Sequence, residues 1–253
     1  MKKYLIAGNW KMNTNIAEAV DLVSDILNEY VDKENVDVLV CPPFTNIHHV
    51  KLTLEGSPLM IGAQNCHYEE SGAFTGEISV DMIKSLGCEY IIIGHSERRS
   101  IFNEKDDLIN KKAQAILSNG LKPILCIGET LEERKAEKTN DVLNSQLSDD
   151  LDSISIGSPD DIVIAYEPVW AIGTGISAET GQIEDAHKFV RDFLIKRFPE
   201  FGDDIIIQYG GSVKPDNANE ILSIENVNGA LIGGASLKAN KFLPIISAAQ
   251  DLV

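Results

Sequence analysis

The chain has 253 residues, of which 43% are hydrophobic and 24% charged, a composition typical of globular proteins and a length that suits one large α/β domain. Its 22 basic and 39 acidic residues give a net charge of −17, which argues against nucleic acid or an anionic membrane as a partner. An anionic ligand would therefore have to be held by local donors against an unfavourable overall field.

The four cysteines, Cys41, Cys66, Cys88 and Cys126, are widely spaced. Their spacing matches neither a metal-binding motif nor a strong disulfide pattern, so we expect free thiols in a reducing compartment. The apolar run near the first residue is too short for a secretory signal, and no run approaches the roughly 18 apolar residues of a membrane span. These features predict a soluble, cytoplasmic protein without a metal site.

Short β-rich runs recur along the chain, and each is followed by enough residues for a helix and two turns. The runs begin near Tyr4, Val36, Leu59, Tyr90, Lys122, Asp161, Ile205 and Gly229. Several, such as 90–93 and 205–207, are apolar without alternation, which is typical of strands buried on both faces in parallel sheets. Amphipathic segments between the runs predict helices, most clearly over 16–30, 106–119 and 178–198.

Eight β/α alternations without a linker or a repeat favour one (β/α)8 barrel that spans residues 1–253. A doubly wound open sheet is the alternative. Such a sheet usually binds nucleotides through a glycine-rich first turn, whereas the turn here, residues 9–13, contains no glycine. We therefore expect an α/β fold in which eight parallel strands close into a TIM barrel ringed by helices.

Polar residues and glycines collect where the predicted strands end, which in barrel enzymes is the face that holds the active site. In chain order they are Asn9 and Lys11, Gln64 and Asn65, the segment 95–98, Glu129, Glu167, the segment 210–212, and Gly233 with Gly234. The sequence contains no metal-ligand cluster, cofactor fingerprint or Walker-type Gly-x-x-x-x-Gly-Lys-Ser/Thr motif. We therefore expect an active site that uses side chains and backbone groups and needs no cofactor.

Glu167 ends an apolar run and is followed at once by Pro168, by the apolar segment 169–172 and by the glycine-rich segment 173–175. Proline removes a backbone donor and favours extended geometry at the residue before it. An acid between a stiff hinge and a glycine-rich tether suggests a general base beneath a closing lid. The alternative, a solvated glutamate at the end of a strand, stays open at this point.

His95 closes the fourth apolar run, and the residues after it look like the first turn of a helix. The partial positive charge of a helix N-terminus opposes protonation of a nearby imidazole, so we expect a neutral His95 that donates a hydrogen bond to a substrate oxygen. Lys11 is the cation best placed to attract an anion, and Glu97 is a candidate partner for it. Purely structural roles for these side chains are the alternatives.

Two glycine pairs follow the last two strands, Gly210-Gly211 before Ser212, and Gly233-Gly234. Glycine lets backbone N–H groups approach an oxyanion closely, and a phosphate site after strands seven and eight recurs in barrels. Tight corners of the chain are the alternative. Together with an acid, a neutral imidazole and a cation, a phosphate site fits abstraction of a proton next to a carbonyl and stabilisation of the resulting enediolate.

Seven segments resemble the triosephosphate isomerase family, in order and from end to end of the chain. They are Ala-Gly-Asn-Trp-Lys-Met from residue 7, Gly-Ala-Phe-Thr-Gly-Glu from 72, Ile-Gly-His-Ser-Glu-Arg-Arg from 93, Leu-Cys-Ile-Gly-Glu from 125, Ala-Tyr-Glu-Pro-Val-Trp-Ala-Ile-Gly-Thr-Gly from 165, Tyr-Gly-Gly-Ser-Val from 209, and Leu-Ile-Gly-Gly-Ala-Ser-Leu from 231. The resemblance implies interconversion of dihydroxyacetone phosphate and D-glyceraldehyde 3-phosphate in glycolysis and gluconeogenesis. A different phosphosugar barrel and a non-catalytic phosphate-binding or scaffold protein are the rival interpretations. The first would lack the combination of Lys11, His95 and Glu167, and the second would need no base, so the presence of all three residues argues against both.

The resemblance also implies a role for each matching residue. Glu167 would be the base, His95 the electrophile and Lys11 the electrostatic stabiliser. Substrate contacts would come from Asn9, Lys11, Gly173, Ser212, Gly233 and Gly234, with supporting positions at Glu97, Ile172, Tyr209 and Leu231. The lid departs from the family at Ile176, where many members have lysine, which leaves the detailed hinge motion open.

The segment 65–78 shows few signs of secondary structure, and long connections of this kind are usually functional or disordered. Phe74, near its tip, would be exposed to water unless something covers it. The resemblance implies that this loop enters a pocket on a second subunit and brings Thr75 close to Asn9, Lys11 and Glu97 there. We therefore expect a homodimer formed through the 65–78 loop.

Overall fold

The barrel predicted from the sequence is present in the computed structural model, which describes residues 3–172 and 178–253. Eight parallel strands pair in sequence order and close on themselves, so that the first strand pairs with both the second and the last. The strands are β1 (Tyr4–Asn9), β2 (Val36–Cys41), β3 (Met60–Ala63), β4 (Tyr90–Ile93), β5 (Lys122–Ile127), β6 (Val163–Tyr166), β7 (Ile206–Tyr209) and β8 (Gly229–Ile232). The prediction of a closed barrel is confirmed, and the open sheet is wrong.

Ten α-helices lie within the described residues. They are α1 (Ile16–Glu29), α2 (Phe44–Thr53), α3 (Val80–Ser85), α4 (Ser96–Ser100), α5 (Asp106–Ser118), α6 (Leu131–Lys135), α7 (Thr139–Asp150), α8 (Thr180–Arg197), α9 (Ala218–Ser223) and α10 (Ala239–Gln250). The three helices predicted from periodicity are confirmed as α1, α5 and α8. None of the helices in the described part of the chain is long and apolar enough to cross a membrane.

β6 begins two residues later than the sequence pattern suggests, at Val163 rather than Asp161. The residues before it, Pro159–Asp161, form a 3-10 helix. The carboxylate of Asp161 accepts hydrogen bonds from the backbone N–H groups of Gly157 and Ser158. Because Asp161 closes this turn, the strand starts only after it. β3 and β7 each begin one residue later than predicted, at Met60 and Ile206.

The strands are buried on both faces, which explains why their sequences lack alternation. One set of side chains fills the barrel interior, including Leu5, Leu39, Ile92, Ile124 and Ala165. The alternate set, including Ile6, Val38, Ile91 and Ile164, packs beneath the helices. All four cysteines are buried and free.

The connection between β3 and α3 is a loop folded on itself, with one isolated bridge between His67 and Ser79. The backbone N–H of His67 donates to the carbonyl of Ile78 at 2.8 Å, and the His67 and Phe74 rings lie 4.4 Å apart. Phe74 is nevertheless 42% exposed. The loop therefore has a defined conformation and leaves an aromatic ring uncovered.

Candidate active site

A cavity of about 580 Å³ opens at the carboxyl ends of the strands. Nine residues predicted for the site line it: Asn9, Lys11, His95, Glu167, Ile172, Ser212, Leu231, Gly233 and Gly234. Gly173 and Ile176 lie outside the described residues, and Thr75 is exposed on the 65–78 loop. The cavity wall also contains Trp10, Asn13, Lys214 and Lys241, which the sequence patterns did not single out.

Glu167 is a buried carboxylate that the barrel holds by two hydrogen bonds. It follows β6 and is only 2% exposed, so the solvated alternative is wrong. One oxygen accepts from the backbone N–H of Ser96 at 3.0 Å, and the other lies 3.1 Å from Nε2 of His95. Burial raises the pKa of Glu167. His95, the Ser96 N–H and Lys11 together lower it by more, so the pKa of Glu167 lies below its ordinary value.

His95 is the N-cap of α4, and contacts at both ring nitrogens orient its imidazole. Nδ1 accepts a hydrogen bond from the backbone N–H of Glu97 at 3.2 Å, which places the proton of the neutral ring on Nε2, facing Glu167. The helix start predicted after His95 is therefore confirmed. The predicted effect of this helix N-terminus on the protonation of His95 is outweighed, however, by the charged side chains beside the ring. Burial and Lys11 lower the pKa of His95, but Glu167 and Glu97 together raise it by more.

Lys11 is held in place through its backbone and its side chain. Its φ of +51° lies in the left-handed region, which is unusual outside glycine. Its N–H donates to Oδ1 of Asn9 at 3.1 Å, and its carbonyl accepts from Nε2 of Gln64 at 2.9 Å. Its Nζ lies 2.7 Å from the Glu97 carboxylate. This arrangement places an ammonium group at the cavity wall. The contact from Gln64 to Lys11 was not predicted from the sequence.

The two glycine pairs bring backbone close to the charged side chains. A Cβ added to Gly233 would lie 3.4 Å from Cε of Lys11, and one added to Gly210 would lie 2.7 Å from Cγ of Glu167. Gly234 begins a short 3-10 helix, Gly234–Leu237, and the first N–H groups of a helix have no partner within it. This end of the cavity therefore suits a small anion beside Lys11.

Gly128 follows β5 and lies directly against the main chain of Glu167. A Cβ added to Gly128 would lie 1.7 Å from the carbonyl oxygen of Glu167, a distance that no pair of non-bonded atoms can adopt. The absence of a side chain at residue 128 thus sets how closely β5 and β6 approach beneath the carboxylate. Gly128 lies in the segment Leu-Cys-Ile-Gly-Glu that resembles the family, but no role was predicted for it.

The described parts of the predicted lid are anchored at both ends. Val169–Ala171 forms a 3-10 helix, and Nε1 of Trp170 donates to the buried Glu129 carboxylate at 2.9 Å. Glu129 also accepts from the Tyr166 hydroxyl at 3.1 Å. Beyond the lid, the phenol oxygen of Tyr209 accepts a backbone hydrogen bond from Ala178. Tyr209 therefore contacts the segment that follows the lid and does not line the cavity.

Metal chemistry has no candidate site in the described ranges, because no group of three or more His, Cys, Asp or Glu side chains there is arranged to hold an ion. What the cavity does present is a paired carboxylate and imidazole, an ammonium group and glycine-lined backbone. That combination suits acid–base chemistry on a small anionic substrate.

Comparison with known proteins identifies the family. The family model for triosephosphate isomerase matches residues 4–249. The chain belongs to the triosephosphate isomerase family. It is therefore an isomerase that interconverts dihydroxyacetone phosphate and D-glyceraldehyde 3-phosphate, a reaction of glycolysis and gluconeogenesis.

Individual relatives agree along nearly the whole chain. The triosephosphate isomerase of Alkaliphilus oremlandii is 49% identical over 248 residues, which cover 98% of this chain and 100% of the relative. The enzyme of Alkaliphilus metalliredigens is 48% identical with the same coverage. The crystal structure of triosephosphate isomerase from Bartonella henselae superposes with a TM-score of 0.89, at 42% identity, covering 97% of this chain and 98% of that one.

Proposed function

We propose that Glu167, His95 and Lys11 carry out the isomerisation in this chain. The observation that supports this most directly is the pairing of two buried groups, with an oxygen of Glu167 3.1 Å from Nε2 of His95. A base and a proton donor on one cavity wall, beside an ammonium group, are the parts that an enediolate mechanism requires.

In the proposed reaction, the carboxylate of Glu167 removes a proton from the carbon next to the carbonyl of dihydroxyacetone phosphate. The electron pair moves to the carbonyl oxygen and gives an enediolate. His95 gives its Nε2 proton to the oxygen of the former carbonyl and takes up the hydroxyl proton of the neighbouring oxygen, and Lys11 stabilises the negative charge that develops on these oxygens. Glu167 then returns the proton to the neighbouring carbon, which yields D-glyceraldehyde 3-phosphate and restores the carboxylate.

The phosphate would bind at the glycine-lined end of the cavity, to backbone N–H groups at Ser212, Gly233 and Gly234, with Asn9 contributing to the substrate contacts. Lys11 lies beside Gly233, so one cation serves the phosphate and the developing oxyanion. This local arrangement counteracts the net charge of −17. We assign a further phosphate contact to Gly173 on the same family grounds.

The pKa of Glu167 is lowered in this structure, which makes the carboxylate a weaker base. Hydrogen bonds from Ser96 and His95 stabilise its ionised form, and they lower its pKa. We propose that substrate takes over the Nε2–H of His95 and that the lid, through Ile172 with Leu231 beneath it, excludes water. Burial without these donors raises the pKa of a carboxylate, so closure makes Glu167 a stronger base.

We also propose a cytoplasmic homodimer in which residues 1–253 form a single domain. Pairing of β1 with β8 supports the single domain, because both parts of the chain close the same sheet. The exposed apolar residues Met12, Phe74, Ile101 and Phe102 follow β1, β3 and β4 at the end of the barrel that contains the site. They support an interface through the 65–78 loop, with Thr75 approaching the partner's site.

Replacement of Glu167 by aspartate tests the proposed base. Glu167→Asp keeps the charge and retracts it by one methylene, and a displacement of about 1 Å can reduce the rate on the order of 10²-fold. We expect kcat to fall by roughly that factor with little change in KM, measured by a coupled assay with dihydroxyacetone phosphate. Glu184→Asp, on the exposed side of α8, is the matched control and should keep full turnover. Wild-type turnover in folded Glu167→Asp would remove Glu167 from the role of base.

A further inference from the structure

Arg99 is a partly buried arginine just behind the proposed catalytic histidine. It lies in α4, four residues after His95, and its side chain is 16% exposed. Its guanidinium contacts two strands and two helices. Nε donates to the carbonyl of Gly94 at 2.7 Å, and Nη2 donates to the carbonyl of Cys126 at 3.1 Å.

Two carboxylates hold the guanidinium in this position. Asp150, the last residue of α7, lies 2.6 Å from Nη2 and is fully buried. Asp106, the first residue of α5, accepts from Nη1. Four contacts in fixed directions use the planar fork of arginine, which a lysine ammonium cannot reproduce.

The contact with Gly94 occurs at the point where the chain leaves the sheet. Ile93 and Leu125 are the last residues of β4 and β5 that pair with each other, so the Gly94 and Cys126 carbonyls lie just beyond the pairing of these two strands. Arg99 bridges these two carbonyl oxygens. A Cβ on Gly94 would lie 3.0 Å from Nη2 of Arg99 and 2.9 Å from the Cys126 oxygen, so the guanidinium packs directly against this peptide.

The peptide that Arg99 holds is the one that determines where His95 points. The Gly94 carbonyl belongs to the same planar unit as the His95 nitrogen, so a rotation of that unit displaces the His95 ring. We propose that Arg99 is a positioning residue for His95, fixing the Gly94–His95 peptide so that Nε2 faces the substrate. This inference rests on the proposed role of His95 and adds Arg99, with Asp106 and Asp150 as its supports.

A double-mutant cycle tests the inference. Arg99→Lys should lower kcat by roughly tenfold to hundredfold, because a small displacement of a catalytic group has effects of that size, and should change KM by less than about twofold. In a His95→Gln background the same substitution should change kcat by less than about twofold, since there is no imidazole left to position. A general structural role would lower kcat by the same factor in both backgrounds.

Arg197→Lys is the matched control, because Arg197 also donates to two backbone carbonyls, those of Leu151 and Ile154. It should leave kcat unchanged from that of the parent enzyme in both backgrounds. If Arg99→Lys does not fold, Asp106→Ala removes one support of the guanidinium and is measured in the same cycle, with the same dependence on His95 expected.

The outcomes separate the inference from the proposed function. Unchanged kcat, or an equal loss with and without His95, overturns the positioning role of Arg99 and leaves His95 in place. Full turnover of His95→Gln by itself overturns the proposed role of His95, and the Arg99 inference with it.

Discussion

Glu167 and His95 each shift the pKa of the other. The carboxylate favours the imidazolium, and the imidazole favours the carboxylate, which is why the pKa of His95 lies above its ordinary value of 6.5 and that of Glu167 below its ordinary 4.5. Without Glu167, burial, Lys11 and the N-terminus of α4 would oppose a positive charge on His95, and the half-exposed Glu97 would remain as a group that favours it. The neutral histidine expected from the sequence stays a prediction for the state in which substrate separates the pair.

Replacement of the carboxylate should reverse the direction of the shift. In Glu167→Gln we expect the pKa of His95 to fall below 6.5, whereas in the wild type it lies above 6.5. A ¹⁵N NMR titration of the imidazole would measure both. Glu97→Gln is the control, because Glu97 faces Nδ1 at 3.5 Å and is half-exposed; it should lower the pKa by less. An unchanged pKa in Glu167→Gln would mean that the carboxylate does not determine the protonation of His95.

Sequence patterns located the principal side chains at this scale and missed what holds them. Glu167, His95 and Lys11 were found because each follows a strand, and parallel strands end at one face of a barrel. The contact from Gln64 to Lys11 joins residues 53 apart, and the contact from Ser96 to Glu167 joins residues 71 apart. Such contacts depend on the distance between strands, which no local pattern records.

At the scale of elements, hydrogen bonds join the described residues on both sides of the segment 173–177 to the barrel. Val169 and Trp170 donate to Glu129 before that segment, and Ala178 donates to Tyr209 after it. The segment 173–177, which includes Gly173 and Ile176, lies outside the described residues, so the predicted hinge departure at Ile176 stays a prediction. A substitution at Tyr209 removes the bond to Ala178 without changing the lid itself.

Tyr209→Phe removes the oxygen that accepts from Ala178. One hydrogen bond contributes about 1 kcal/mol, so closure should be weakened several-fold and turnover should fall by about fivefold to tenfold. A lid that opens early would also release the enediolate, which eliminates phosphate to form methylglyoxal. We expect the ratio of methylglyoxal to isomerised product to rise, as measured by ¹H NMR. Tyr4→Phe is the control, because its hydroxyl donates to the Leu222 carbonyl at 3.1 Å away from the lid; an equal rise there would contradict the lid's protective role.

Elements were predicted where periodicity is strong and were displaced where a side chain has a local role. The interval from 16 to 30 reads as a helix because its apolar residues recur at helical spacing, and Asn15 then caps it. Asp161 was assigned to β6 because an apolar run follows it directly. Its carboxylate instead accepts from two backbone N–H groups, and that competition between capping and pairing is not visible in a hydrophobic pattern.

For the whole molecule, the main question is what covers the apolar residues at the end of the barrel that contains the site. The 65–78 loop is fixed at its base by Asn65, whose oxygen accepts from the buried Lys112 at 2.8 Å. Lys112 in turn pairs with Glu104 at 2.6 Å, and Arg98 pairs with the same carboxylate at 2.7 Å. This network joins the loop to the segment that contains the exposed Phe102, so both parts of the proposed interface are held together before any partner binds.

Replacement of Phe74-Thr75 by Gly-Asp should therefore favour monomers and lower turnover together. The substitution removes the exposed Phe74 ring and places a negative charge where the loop would enter the partner. Because a two-fold symmetric dimer contains this contact twice, both changes weaken the interface at two places. Analytical ultracentrifugation with a parallel assay would measure the result. A double substitution at the exposed Asp203 and Asp204, on the connection before β7, serves as the control and should leave assembly unchanged. A fully active monomer would contradict the coupling, and an unchanged dimer would contradict the interface.

The close approach of Gly128 to Glu167 restricts how this chain can change over generations. A side chain at residue 128 would displace the main chain of Glu167, the proposed base, without altering any group proposed to contact substrate. Activity therefore depends on a residue that takes no part in the chemistry. In a library of every single substitution, selected for growth that requires the isomerase, we expect glycine alone to survive at residue 128. Gly181, whose added Cβ would meet no atom within 4 Å, should accept many residues. Survival of alanine at residue 128 would show that β5 and β6 can separate, and residue 128 would then not be restricted to glycine.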